Sequence, residues 1–240
     1  MKGQLKLSLV HLRSLIGFLK APALLHAEKG ASSRTLFSFC GIGLVLALSG
    51  GWATRSLVEA GLLPDPGDHK TEQASPLMLF AGGVVLAPLL EEFLFRMQLR
   101  SFTGNLLFTL IIAGVVLSHF LPSGMTAAGL VLLTLTGIFW AIRNWSGKSI
   151  SRKYMVWRYL FPVNFYLTAL TFSFMHLYNF SRAESLIYIG LLYTVPQLIL
   201  GLILGYVRIR YDLKQAILLH ALFNGTILLI SFAEDLLGKV

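Results

Sequence analysis

Three short stretches of this sequence carry side chains capable of chemistry in otherwise apolar surroundings. They are "EEFLFR" starting at Glu91, "FSFMH" ending at His176, and "HALFN" running from His220 to Asn224. No charge appears from Pro76 to Leu90, and then two glutamates stand side by side. A charged side chain at the centre of a bilayer costs at least ~2.5–3.5 kcal/mol, so two adjacent carboxylates need an offset. Helical geometry separates their roles. Glu92 and Arg96 are four apart and therefore neighbours on one face, a favourable spacing for an ion pair. Glu91 points about 100° away from Glu92 and has no partner on its own helix. A carboxylate so placed requires partners from other helices, and it is the type of group that removes a proton from water as a general base.

The other two stretches offer such partners. Phe172 and His176 share a helical face, as do His220 and Asn224, so that an imidazole and a carboxamide can point at one spot. Each feature also has a plain structural reading. A single buried histidine is more often bonded to a nearby carbonyl than catalytic; this suits His119, which follows Ser118 without an identifiable partner. Glu92 with Arg96 reads best as a structural clasp, and Phe172 as packing against His176. Gly201 and Gly205 in "QLILGLILGYV" read as a small-residue face for close helix contact. The joint occurrence of a carboxylate, two imidazoles and a carboxamide in apolar segments favours function, because intramembrane polar groups are costly.

The elements that must position these groups are membrane helices. Apolar residues make up 55% of the 240-residue chain and charged residues 13%, about half the charged fraction of a soluble domain. The apolar residues fall into runs near the ~20 residues that cross a bilayer. The fold class expected is all-α: a polytopic transmembrane helical bundle of about seven spans. They lie near 36–54, 77–99, 106–121, 125–142, 156–177, 186–207 and 216–232. Ahead of them, Lys6, Arg13 and Lys20 recur at seven-residue spacing among leucines. That pattern predicts an N-terminal amphipathic helix at the membrane interface, ended by Pro22. The division expected is a membrane-surface segment over 1–35 and a transmembrane domain over 36–240.

Charge bias supports the span count. With the N-terminus inside, every Lys and Arg except Arg55, Lys70, Arg182 and Lys239 falls on the inner side, as the positive-inside rule requires. The expected location is the plasma or inner membrane of a prokaryotic cell, with a cytoplasmic N-terminus. The net charge of +9 then reflects orientation; no basic–aromatic interleaving suggests nucleic acid. The lone Cys40 excludes a disulfide framework or a cysteine zinc site.

"EEFLFR", "FSFMH" and "HALFN" fit, in order, the EExxxR, FxxxH and HxxxN motifs of the CPBP intramembrane proteases, the CAAX-processing and bacteriocin-processing (ABI) family. The chain resembles that family over about 76–230, and "GLILGYVRIRYDLKQAILLHALFN" is similar to its approach to the third motif. The second motif is matched at His176 because Phe172 precedes it; His119 lacks that phenylalanine. The resemblance implies peptide-bond hydrolysis at the membrane. Glu91 with His176 would activate water, His220 and Asn224 would hold the oxyanion, and Glu92, Arg96 and Phe172 would support the site.

The resemblance leaves open a glutamate protease or a metalloendopeptidase. No cofactor is expected to be required, although Glu91, His176 and His220 form a plausible zinc set. The expected partners are a peptide or protein substrate, the lipid bilayer and a membrane-protein partner. Two rival classes remain: a non-catalytic scaffold, immunity or regulatory protein of the same fold, and a proton or ion carrier. The carrier reading is weak, since beyond Gln197 few polar residues trace a path across the bilayer. One geometric demand stands against the catalytic reading. On this topology His176 lies ~20 Å or more along its helix from the basic inner flank. Tilt, a break or a shifted boundary at Pro162 would be needed to level it with Glu91.

Overall fold

A computed structural model describes residues 2–28, 30–70, 74–101, 103–104, 107–109, 111–112, 129, 135–137, 139, 143 and 150–237. Among these, every extended element is helical. Helix α1 spans Lys2–Lys20, α2 Ser33–Glu59, α3 Pro76–Arg100, α4 Ile150–Met175, α5 Val195–Arg210 and α6 Leu213–Leu237. Ser32 caps α2 by accepting from the Thr35 amide at 3.2 Å, and Ser75 caps α3 by accepting from the Met78 amide at 3.3 Å. Pro76 follows at the first turn of α3, where its missing N–H costs nothing. The middle of α3, Leu79–Leu86, widens into a π-helix, and its last turn, Met97–Arg100, tightens to 3-10 geometry.

Four helices among the described residues are long and apolar enough to cross a membrane: Ser33–Glu59, Pro76–Arg100, Tyr154–Asn179 and Leu213–Glu234. The count of seven is not confirmed. The expected spans 106–121 and 125–142, together with His119, lie wholly or largely outside the described residues. The segment expected as 186–207 is divided: a 3-10 turn at Ala183–Leu186 and a helical turn at Gly190–Tyr193 precede the 16 residues of α5.

Helix α5 is the packing centre. Two glycines bring α4 against it: a Cβ at Gly205 would stand 2.8 Å from the Phe165 ring, and one at Gly201 3.1 Å from the Phe172 ring. On another side α2 approaches through Gly43, whose added Cβ would lie 3.4 Å from Ile203. Phe18 of α1 meets Phe165 and Tyr206 edge-on, with ring centroids 5.0 and 5.1 Å away. The exposed flank of α1 carries Lys6, Arg13 and Lys20, while its inner face bonds the bundle: His11 Nδ1 lies 2.9 Å from the Ser38 hydroxyl, and Ser14 Oγ 2.7 Å from the Tyr206 hydroxyl.

In the link between α2 and α3, residues 64–70 form a strap laid on the chain just after α4. Lys70 donates its amide to Asn179 O at 2.8 Å, Ser181 donates to Asp68 O at 3.0 Å, and Arg182 to Pro66 O at 3.2 Å. Tyr193 donates its hydroxyl to Pro64 O at 2.6 Å. The strap thereby fixes the end of α4, at which His176 begins a 3-10 turn.

Candidate active site

Helix α3 presents its two glutamates differently. Glu92 and Arg96 are wholly enclosed, with side-chain exposures of 0% and 1%, and their charged atoms lie 3.2 Å apart. That contact is an ion pair without hydrogen-bond alignment. The guanidinium is also stacked, its central carbon 4.0 Å from the centroid of Phe172, and NH2 donates to Gly201 O at 3.4 Å. Arg96 therefore ties α3 to both α4 and α5, and the close approach that Gly201 permits is that of the Phe172 ring, 3.1 Å from an added Cβ.

Two imidazoles close on the glutamates from α4 and α6. His220 is 1% exposed; its Nδ1 lies 3.0 Å from Glu92 Oε1 and its Nε2 3.7 Å from Glu91 Oε2. His176 places Nδ1 2.7 Å from Phe172 O and Nε2 3.9 Å from Glu91 Oε2. A carbonyl only accepts, so Nδ1 of His176 carries a proton, and in the neutral ring Nε2 bears the lone pair. The same holds for His220 opposite an ionised Glu92. The result is three lone-pair atoms, Glu91 Oε2 and the two Nε2 atoms, gathered around one point. Glu91 Oε2 is itself buried and has no hydrogen-bond partner among the described residues. The Phe172 ring lines the cluster, 4.7 Å from the His176 centroid and 5.7 Å from that of His220.

Depth does not separate these groups. Helix α4 is continuous through Pro162 and runs antiparallel to α3, so that Phe95 meets Phe172 edge-on at 5.6 Å one turn from the Glu91–His176 contact. The level is reached by length: Arg158 lies about 27 Å along α4 from His176. Farther down, Asn164 still pairs with Thr109.

The sequence-predicted residues are thus placed as follows. Glu91, His176 and His220 converge, and Glu92, Arg96 and Phe172 form the layer beneath them. Asn224 is one turn farther along α6, and its amide donates at 2.8 Å to Gly83 O in the π-widened part of α3. Two relationships were not anticipated: the bond from His220 to Glu92, and the use of a Gly83 carbonyl by Asn224. The spacing of Gly201 and Gly205 was a visible signal for the close contact with Arg96 and Phe172, but it named no partner.

As a metal set the donors have suitable chemistry, since each lone-pair nitrogen belongs to a ring whose other N–H is held by an acceptor. The separations of 3.7 and 3.9 Å exceed the about 3.3–3.5 Å edge of a tetrahedral zinc site with 2.0–2.1 Å bonds. Accordingly, no group of three His, Cys, Asp or Glu side chains among the described residues is tight enough as placed to hold an ion.

The family model described as Type II CAAX prenyl endopeptidase Rce1-like matches residues 73–226, close to two thirds of the chain. No curated protein and no solved structure matches it. The matched stretch begins just before α3 and ends within α6 beyond Asn224, so it takes in all of the convergent side chains, and the chain belongs to the Rce1-like type II CAAX prenyl endopeptidases, a family of membrane proteases.

Proposed function

We propose that this protein is an intramembrane endopeptidase that hydrolyses a peptide bond of a membrane-associated protein or peptide, with Glu91 as the general base. The observation that carries the reading is the different fate of the twin carboxylates. Glu92 is taken up by Arg96 and His220, whereas Glu91 Oε2 lies 3.7 and 3.9 Å from two imidazole nitrogens without a bond to either. A water among these atoms would donate one hydrogen to Glu91 and the other to His176 Nε2. As its oxygen attacks the scissile carbonyl, Glu91 takes the proton and later returns it to the leaving amine. The oxyanion would be met by the second amide hydrogen of Asn224, and by His220 Nε2 when that ring carries both protons. Glu91 and His176 retain 26% and 20% side-chain exposure, leaving an approach for substrate.

No metal is required by these steps. A second reading is favoured by the tautomers: Glu91, His176 and His220 would be the residues to hold zinc after the carboxylate swings inward by a few tenths of an ångström. Such an ion would supply Lewis-acid activation of water. The expected setting is the plasma or inner membrane of a prokaryotic cell with the N-terminus cytoplasmic, the segment 1–35 that contains α1 along the inner surface and the transmembrane domain over 36–240.

The decisive experiment uses the full chain in lipid vesicles and reads membrane-peptide cleavage by mass spectrometry. Glu91→Gln should lower the rate by about 10²–10⁴-fold, the scale of general-base catalysis. Undiminished cleavage would overturn the assignment, and absence of cleavage by the wild-type protein across a membrane proteome would favour the non-catalytic scaffold. Cleavage that survives exhaustive chelation supports the metal-free mechanism; loss restored by zinc supports the second reading.

A further inference from the structure

Gln197 is a polar residue of the apolar segments that none of these roles uses. It lies on α5 four residues before Gly201, so the two share a helical face. That face is turned toward α4. Three residues before Gln197, Thr194 receives the Ser173 hydroxyl on its carbonyl at 2.7 Å and on its own hydroxyl at 2.9 Å. Four residues after it, Gly201 abuts Phe172 and the Ala169 carbonyl and accepts from Arg96. The other face of α5 is occupied by α2, where an added Cβ at Gly50 would stand 2.8 Å from Val195 and one at Gly51 3.5 Å from Pro196.

The two helices run antiparallel: Gly205 opposes Phe165, Gly201 opposes Ala169 and Phe172, Thr194 opposes Ser173, and Gly190 opposes Leu177. Four residues from Gly201 toward the start of α5, about 6 Å, therefore bring Gln197 level with Phe172 and Ser173, one turn from His176, and side chains of a helix lean toward its N-terminus, here toward that turn. Gln197 Oε1 is buried there and has no hydrogen-bond partner among the described residues. Buried polar groups are almost always paired, and this carbonyl oxygen, one turn from the His176 level and unpaired among the described residues, is open to a partner from a bound chain.

We propose that Gln197 contacts the substrate: its carboxamide pairs with the backbone N–H and C=O of one extended residue of the bound chain beside the scissile bond. The proposal rests on the peptidase reading of the same site. To be cut, a substrate segment must be extended, and its backbone N–H and C=O lose their helical partners where no bulk water replaces them. A carboxamide offers an acceptor and two donors, so a single glutamine can pair with the N–H and the C=O of one extended residue, which face the same side of the chain. Being neutral, it does so without disturbing the charges of Glu91, Glu92 and Arg96. The ligand class that follows is a locally unwound peptide segment.

The test uses the full chain in lipid vesicles with a lipid-anchored, quenched-fluorescent peptide that the wild type cleaves. Gln197→Leu should lose about 10- to 100-fold in kcat/KM, the range of a lost buried hydrogen bond to a reacting chain. Its melting temperature should equal or exceed that of the wild type, because the buried Oε1 makes no bond among the described residues. Replacing single substrate amides by esters should impair the wild type at one position and leave Gln197→Leu insensitive there. Wild-type kcat/KM in both Gln197→Leu and Gln197→Met would overturn the proposal, as would a fall in melting temperature in both, which would assign Gln197 to packing. Glu91→Gln run in parallel separates the two ideas: if it is inactive while Gln197→Leu is not, only the role of Gln197 is lost.

Discussion

His220 Nδ1 stands 3.0 Å from Glu92 Oε1 and joins residues 128 positions apart in the chain. The carboxylate that also faces Arg96 thus orients the imidazole whose other nitrogen faces Glu91. One buried anion links α3 to α6, while the cation beside it links α3 to α4 and α5. A change at Glu92 should therefore be felt first in stability.

Glu92→Gln removes the charge opposite an arginine that is 1% exposed. Orphaning one member of a buried ion pair costs about 3–5 kcal/mol. Thermal unfolding in lipid should show a marked drop, and the double variant Glu92→Gln with Arg96→Met should recover part of it by removing the stranded cation. An unchanged melting temperature in the single variant would count against the clasp.

Glycines on one helix face should differ sharply from glycines on another. Gly201→Ala and Gly205→Ala set a methyl 3.1 Å from Phe172 and 2.8 Å from Phe165, and overpacking of this kind costs about 1–3 kcal/mol. Gly82→Ala meets nothing within 4 Å and should be neutral or gain up to about 1 kcal/mol from reduced chain entropy. Gly201→Ala should also slow cleavage, because Phe172 carries the carbonyl that fixes His176. Melting curves and peptide cleavage measured on the same samples decide this.

The strap depends on Gly67, which has φ +72° and would place a Cβ 2.2 Å from Ser181 Oγ. Gly67→Ala combines a left-handed backbone with a steric overlap and should cost on the order of 1–3 kcal/mol locally. Limited proteolysis between residues 60 and 75 should accelerate, and cleavage activity should fall, since the strap bonds Asn179 and Ser181 directly after the His176 turn. Equal proteolysis of variant and wild type would show that the strap is held by other contacts.

His11 gives the fold a pH dependence of known sign. Burial holds its imidazole below the usual 6.5, with the ring stacked on Phe39 at 4.8 Å and Nδ1 on Ser38. Between the unfolded value and the lowered folded one, the unfolded chain binds more protons. The stability that His11 contributes is therefore present above pH 6.5 and is lost as the pH falls through the window beneath it. Melting temperatures measured from neutral to mildly acidic pH should decline more steeply for the wild type than for His11→Gln.

The sequence by itself determined the all-helical class, the four long apolar helices and the neighbours at four-residue spacing within them; it did not reveal the division of 186–207 or the π-widening of Leu79–Leu86. Runs of apolar residues near the length of a bilayer specify helices α2, α3, α4 and α6, because a chain in hydrocarbon must satisfy its backbone internally. The four-residue spacings of Glu92 with Arg96 and of Phe172 with His176 were legible because 3.6 residues per turn fixes such neighbours. Only the tertiary structure decided what meets across helices: both imidazoles turned to Glu91, Glu92 shared with His220, Asn224 spent on Gly83, and Gln197 Oε1 left without a bond among the described residues. The depth of His176 was equally illegible, because it depends on how far α4 slides along α3. Periodicity orients side chains about one axis, but the rotation and offset between axes are set by packing, here by Gly201 and Gly205 admitting Phe172 and Phe165 against α5.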